Sequence, residues 1–277
     1  MKQALFAILI SVLVACTSSE QKAARALISE AQTSISEQRY EQALSLLDSL
    51  NKTYPALVAE RKQALDLSRE VRLLQSRRDS IFLAPLVDSL LVREEKALEL
   101  FEVVADETIQ DHTIMRYKGY VPTQDPKSSF LDVYFNNLGE LELVAGTSGR
   151  PAFESESVVI RDKASDTFVA SDIIPYDGGT NYRYEIDGRT YERITFTLDN
   201  AERLSAFVAG MGDGAKLQVE LLNAKGKKQT FVLSAVAVKA ITASYELHRI
   251  KTELKNSRDQ ITRHLKRSER YEKLQEQ

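Results

Sequence analysis

The 277-residue chain has no tryptophan and one cysteine, Cys16. A lone cysteine cannot close an internal disulfide or build a thiolate metal site, so a disulfide-stapled scaffold and a zinc ribbon are both excluded. Without Trp, the side chain with the largest stacking surface for a sugar ring is missing. Histidine is scarce. His248 and His264 share one helical pattern with no acidic residue at metal-pair spacing, and His112 follows Asp111 in a lone Asp-His step that makes no catalytic arrangement. The formal net charge is only −3, with 28% of residues charged. That balance lacks the strong basic excess of a nucleic-acid binder, so no nucleic-acid partner is expected. No serine stands in a Gly-x-Ser-x-Gly setting. Beyond the first fifteen residues no apolar run approaches the roughly 20 residues that span a bilayer.

What is present begins at the N-terminus. Lys2 precedes an apolar run from Ala4 to Val14, and Leu13-Val14-Ala15-Cys16 closes it. A positive residue, a short apolar stretch and a small residue before the cut read as an export signal over residues 1–15, not as a membrane span. The four closing residues resemble the lipobox of bacterial lipoproteins. That resemblance implies acylation of Cys16, removal of residues 1–15 and a membrane anchor, since several acyl chains hold firmly where one holds marginally. Thr17 rather than Asp after the cysteine favours the outer membrane by analogy with envelope sorting. Residues 16–22 are expected to form a tether.

Residues 23–104 are helical in pattern, and none of the chain's eleven glycines falls among them. Ala31, Ala43 and Pro55 recur at equal spacing, with Tyr40 and Leu47 between them. This resembles one tetratricopeptide unit over about 34 residues, with small residues where two antiparallel helices cross. Gln38 stands where that pattern has Gly, and Leu50 where it has a small residue. One such hairpin cannot bury its own apolar face, so it must pack on something else. The following helix is predicted to run from 56 to 103, carrying Val58, Leu65, Val71, Leu74, Leu90, Leu98 and Phe101, with a kink or break at Pro85.

Residues 105–233 read as an antiparallel β-domain of about nine short strands, sandwich-like or an open barrel. Tyr182, Tyr184 and Ile186 alternate with polar residues before Asp187-Gly188, and Ile194, Phe196 and Leu198 alternate after it, which predicts a tight hairpin. Leu217, Val219 and Leu221 pair in the same way with Phe231 and Leu233 across Lys225-Gly226. A short helix over 199–209 separates the two hairpins. Gly210-Met211-Gly212-Asp213-Gly214 follows that helix and precedes a strand, the reverse of the order that aims a helix N-terminus at a phosphate.

Residues 234–277 read as a second long helix starting at the N-cap Ser234. Ala240, Leu247, Leu254 and Ile261 recur every seven residues, and Ile250, Ser257, His264 and Tyr271 form the companion register, a coiled-coil seam. A helix of about 40 residues spans about 60 Å. It is predicted to pair antiparallel with the 56–103 helix or with another copy of itself, which leaves oligomerisation through the coiled coil open.

The candidate ligand or partner surface is tyrosine-rich: Tyr176, Tyr182, Tyr184 and Tyr191 around Asp177-Gly178-Gly179. Tyr182 and Tyr184 share one face of a strand, where rings can stack on sugars, meet a protein, or cover the core. The carboxylate pairs Glu154/Glu156 and Asp172/Asp177 carry nothing that separates an acid from a base. No catalytic residue, metal or cofactor is expected.

Taken along its length, the chain resembles a group of uncharacterised Bacteroides-type envelope lipoproteins. The lipobox, Asp79-Ser80-Ile81, Asp88-Ser89-Leu90-Leu91, Phe231-Val232-Leu233-Ser234, Ala240-Ile241 and Tyr245-Glu246-Leu247 carry that likeness. It implies a layout and a compartment and brings no functional residues. The expectation is an α+β, lipid-anchored cell-envelope protein, with a helical hairpin and long helix, an antiparallel β-domain and a long returning helix. A non-catalytic binding or scaffolding role with an envelope protein partner is expected first, glycan or peptidoglycan binding second, and hydrolysis third.

Overall fold

The computed structural model describes residues 2–104, 113–121, 127–212 and 214–275, the first of these through residue 18 as backbone alone. Three helices come first: α1 (Lys2–Ser36), α2 (Tyr40–Thr53) and α3 (Val58–Leu98). Strands β1 (Phe101–Val104), β2 (Ile114–Tyr117), β3 (Phe130–Asn136), β4 (Leu141–Gly149), β5 (Ser155–Asp162), β6 (Thr167–Ala170), β7 (Asn181–Ile186) and β8 (Arg189–Phe196) follow. Helix α4 (Leu198–Gly210), strands β9 (Leu217–Asn223) and β10 (Lys228–Val232), and helix α5 (Ala235–Gln275) complete the order. The class is α+β, as the periodicity predicts. The chain divides into two compact units, residues 1–88 with 256–277, and residues 89–255. The long helices α3 and α5 each contribute to both.

The first unit is helical. Ala24, Ile28 and Ala31 of α1, Leu47 and Leu50 of α2 and Ala64 of α3 form one buried cluster, while Tyr40, Ala43 and Val71 form another. Alanine at these positions lets the helix axes approach closely. The α1–α2 turn closes when the Arg39 N–H donates to the Ser34 carbonyl at 2.8 Å and the Gln38 N–H to that of Ile35 at 2.9 Å. Gln38 itself sits at φ +59°, a left-handed conformation that glycine adopts most cheaply. Glu60 at the start of α3 is 5% exposed and accepts hydrogen bonds from Gln21 Nε2 at 2.8 Å and Arg25 Nε at 3.3 Å.

Helix α3 continues through Pro85 without interruption. Proline there removes the N–H that the Ile81 carbonyl would accept. Ile81 and Phe82 are 73% and 82% exposed, so water reaches this turn and can solvate the freed carbonyl. Helix α1 likewise runs without a break through residues 16–22, where a tether is expected.

Helix α5 starts where predicted, its Ala237 N–H donating to Ser234 Oγ at 3.1 Å. It packs antiparallel on α3. Glu94 meets Lys251 at 2.6 Å within the second unit, and Arg77 meets Glu272 at 2.7 Å within the first. The heptad face turns inward: Ala240, Leu247, Ile250, Leu254 and Ser257 are all buried. Beyond Leu254 the face is mixed, with Ser257 and Ser268 buried and Ile261, His264 and Tyr271 half-buried.

The second unit holds two antiparallel sheets, ordered β1-β2-β3-β4-β8-β7 and β10-β9-β5-β6. Leu131, Val133 and Phe135 of β3, Leu143 of β4 and Ile194 and Phe196 of β8 share one core with Val158, Ile160, Val219 and Leu221 of the smaller sheet. Ala201, Leu204 and Val208 of α4 and the first turns of α5 fill the rest of it. The β7–β8 hairpin has Asp187 at φ +53° and Gly188 at φ +65°, the two left-handed residues a tight right-twisted hairpin requires. Two boundaries differ from expectation. Phe101 opens β1 rather than continuing the helix, because the Val103-Val104 end of the segment pairs with Ile114 and Met115 and β-branched residues favour that pleated setting. Leu198 does not continue β8. It opens α4 at φ +49° and 84% exposure.

Candidate functional site

The face of the six-stranded sheet opposite the core carries the residues that alternate with the buried ones. On β3 these are Phe130, Asp132 and Tyr134. On β4 they are Glu142, Val144 and Gly146, on β8 Tyr191, Arg193 and Thr195, and on β7 Tyr182 and Tyr184. The register sets them in rows: Tyr134 opposite Glu142, Val144 opposite Thr195, Gly146 opposite Arg193 and Phe130, Tyr182 opposite Arg193 and Tyr184 opposite Tyr191.

A concavity of about 440 Å³ lies on this face, with Val144 and Thr195 among its lining residues and Tyr134, Tyr182, Arg193 and Glu142 around them. Its size falls within the range of small-ligand sites. Tyr182 extends it into an aromatic run. The Tyr182 and Tyr184 rings lie 6.2 Å apart at 23°, and those of Tyr184 and Tyr191 5.2 Å apart at 15°.

Arg193 is held from several sides. Its guanidinium lies over the Phe130 ring, 5.7 Å from the centroid. The Phe130 ring lies over Gly146, where a Cβ would come within 2.3 Å of Phe130 Cζ, so no other residue fits there without moving the ring. Burial works against the Arg193 charge, but Tyr182, and after it Tyr134 and Tyr184, outweigh burial and raise its proton affinity. Between Phe130 and Tyr134 on this face of β3, Asp132 is 3% exposed and accepts a 2.5 Å hydrogen bond from the Tyr120 hydroxyl. Burial, then the Asp132 charge, raises the Tyr134 and Tyr120 phenols above the usual tyrosine value, so both stay neutral hydroxyls. At the other end of the concavity, partial burial and then the neighbouring Glu140 raise the Glu142 carboxyl above its ordinary value. Glu140 accepts from Asn136 Nδ2 at 2.6 Å.

Of the four tyrosines singled out from sequence, the fold brings three together. Tyr182 lines the concavity, and Tyr184 and Tyr191 continue its ring stack. Tyr176 stands apart, 55% exposed, with the Arg183 guanidinium 4.9 Å from its ring centroid. Arg183 alternates with Tyr182 and Tyr184 and so points off the other face of β7. Sequence reasoning did not single out Tyr134, Arg193 or Glu142. The alternation of β3, β4 and β8 marks each as facing away from the core, but only strand pairing sets them beside Tyr182.

The other candidates resolve into structural contacts. Glu154 pairs with Lys225 at 2.8 Å, Asp172 with Arg203 at 3.0 Å, and Asp177 accepts from the Gly179 and Asn181 N–H groups at 2.9 Å each. His248 Nδ1 lies 2.7 Å from the Gly139 carbonyl, and His264 Nδ1 is buried without a partner. His112 and Asp213 lie outside the described residues. Gly212 and Gly214 follow α4 and precede β9, at φ +76° and +95°. Among the described residues no three His, Cys, Asp or Glu side chains gather at metal-binding distance, and no helix is long and apolar enough to cross a membrane. Cys16 falls within α1, where the backbone alone is described. Comparison with protein-family models, with curated proteins and with solved structures finds no match to the chain.

Proposed function

We propose that this chain is a non-catalytic binding protein of the cell envelope, anchored by lipid on Cys16, and that the outer face of its six-stranded sheet holds a glycan. The observation that carries the reading is the concavity bounded by Tyr134, Tyr182, Arg193 and Glu142. Sugars present apolar ring faces and a dense rim of hydroxyls. The tyrosines offer flat apolar area with a polar edge, and Arg193, Thr195, Asn136 and Glu142 offer donors and acceptors around them. Burial and then repulsion from Glu140 raise the Glu142 carboxyl, and among the described residues no other carboxylate lines the concavity to serve as an acid–base partner. The site therefore supports binding rather than hydrolysis.

A second reading rests on a different surface. Ile81, Phe82 and Leu86 stand exposed around Pro85 on α3, an apolar patch of the kind that meets a protein partner. One experiment separates the two. Isolated cell-wall glycan and soluble glycan fragments are offered to the purified chain, and binding is followed by tyrosine emission, which no Trp obscures. The glycan reading expects saturable binding that Tyr182→Ala weakens about tenfold, the loss of roughly 1.4 kcal/mol of stacking and contact. Absence of glycan binding, with an envelope protein crosslinked to the native chain but not to Phe82→Ser, would replace it with the scaffold reading.

A further inference from the structure

We infer that the glycan held on this face is acidic at one end, with a sugar carboxylate seated on Arg193 and a neutral ring lying toward Glu142. The inference rests on the glycan-binding reading and specifies its ligand class.

Three observations carry it. First, Arg193 is a partly buried cation whose charge is met by hydroxyls and a ring rather than by an anion. Tyr182, and after it Tyr134 and Tyr184, favour its charge against burial, and among the described residues it makes no ion pair. A buried charge is costly unless paired, and other cations of the chain show such pairing: Arg116 with Glu102, Arg203 with Asp172, Lys251 with Glu94. Asp132, one row along β3 from Phe130 on the same face, is engaged by the Tyr120 hydroxyl. Arg193 is thus held ready for a planar anion, which its guanidinium can meet with two parallel hydrogen bonds.

Second, its position is built. Phe130 supports the guanidinium, and Phe130 can lie where it does because residue 146 has no side chain. An arginine whose only role was solubility would need no such bed.

Third, the two ends of the concavity differ in sign. Arg193 lies opposite Gly146, and Glu142 is four residues further along the same strand, a separation of about 13 Å at about 3.3 Å per residue. Glu140 and Glu142 stand at that far end. Their charges repel a ligand that is anionic along its length, and their oxygens accept hydrogen bonds from sugar hydroxyls. Tyr182, directly opposite Arg193, is placed to stack against the ring that carries the acid. The site therefore selects one carboxylate, at one end, on a ligand about the length of a disaccharide.

The test compares an aldobiouronic acid, one uronic and one neutral ring, with its methyl ester. The ester keeps both rings and masks only the charge. Titration calorimetry on the native chain at low and moderate salt is expected to show the free acid binding at least tenfold tighter, with the advantage shrinking as salt rises. Arg193→Gln should abolish the preference, so that acid and ester bind alike, and Arg193→Lys should recover only part of it. Equal affinity of acid and ester on the native chain overturns this inference and leaves the glycan reading standing. If neither disaccharide nor cell-wall glycan binds, the glycan reading itself falls. Because the decisive comparison uses the unmutated protein, a folding defect in an Arg193 variant does not blunt it.

Discussion

Glu192 is a glutamate at 1% exposure, and its surroundings explain why the fold tolerates it. Oε1 accepts from the backbone N–H groups of Phe153 at 2.6 Å and Glu154 at 2.8 Å, and Oε2 from the N–H of Ser155 at 2.7 Å and its hydroxyl at 2.8 Å. One side chain of β8 thus satisfies the backbone leading into β5, tying the two sheets together at that corner. Removing it strands the buried Ser155 amide and hydroxyl and two half-buried amides, each costly to leave unpaired. Glu192→Ala is expected to destabilise the protein by about 3 kcal/mol, read as a lower urea midpoint with unchanged slope. A loss under about 1 kcal/mol would mean that water replaces the carboxylate, and the clamp would not be structural. Arg193, the next residue, points to the opposite face, into the candidate site. Adjacent residues of one strand thus divide between the buried corner and the open face, as the pleat requires.

At the scale of elements, the helical hairpin shows a local conflict resolved by its context. Gln38 takes a left-handed conformation that costs a side-chain-bearing residue about 1 kcal/mol. It is kept there because the turn caps α1 through Gln38 and Arg39 and delivers the buried Tyr40 to the hairpin core. Gln38→Gly should therefore stabilise the chain by about 0.5–1 kcal/mol despite glycine's greater freedom when unfolded, seen as a rise in Tm. A fall in Tm would mean that the Gln38 side chain contributes more than its backbone costs. Pro85 presents a different balance. A proline that breaks isolated helices is carried inside a 41-residue helix because packing along the rest of α3 outweighs one lost hydrogen bond at a solvated turn.

For the molecule as a whole, the anchor is the open claim. Lys2, the apolar run and Leu13-Val14-Ala15-Cys16 motivate it, and the described helices offer no membrane span in its place. Expressed in a bacterium that processes lipoproteins, the chain should incorporate an alkyne fatty acid and partition into the detergent phase. Cys16→Ser should lose both. Labelling that survives Cys16→Ser would sink the anchor. The same whole-chain view shows why the two compact units are not successive segments. Helices α3 and α5 pass through both, so residues 58–88 pack with 256–275 in one unit while residues 89–98 and 235–255 belong to the other.

By itself the sequence determined what depends on short-range pattern. Helical periodicity marked α2, α3 and α5. The Asp187-Gly188 turn marked the β7–β8 hairpin, Ser234 marked the start of α5, and the heptad spacing of Ala240, Leu247 and Leu254 marked the face that α5 buries. Each of these is settled by neighbours within a few residues of one another. Only the tertiary structure decided what depends on pairing between distant segments. It made a strand of Phe101–Val104, which needs β2 to exist, and it ended β8 before Leu198. It carried α3 through Pro85 and separated Tyr176 from the other tyrosines. The candidate site belongs to this second group. Tyr134, Glu142, Tyr182 and Arg193 come from four strands, and no local rule sets β4 between β3 and β8. That order follows from burying one face of the sheet in a shared core, which leaves the opposite face to assemble the site.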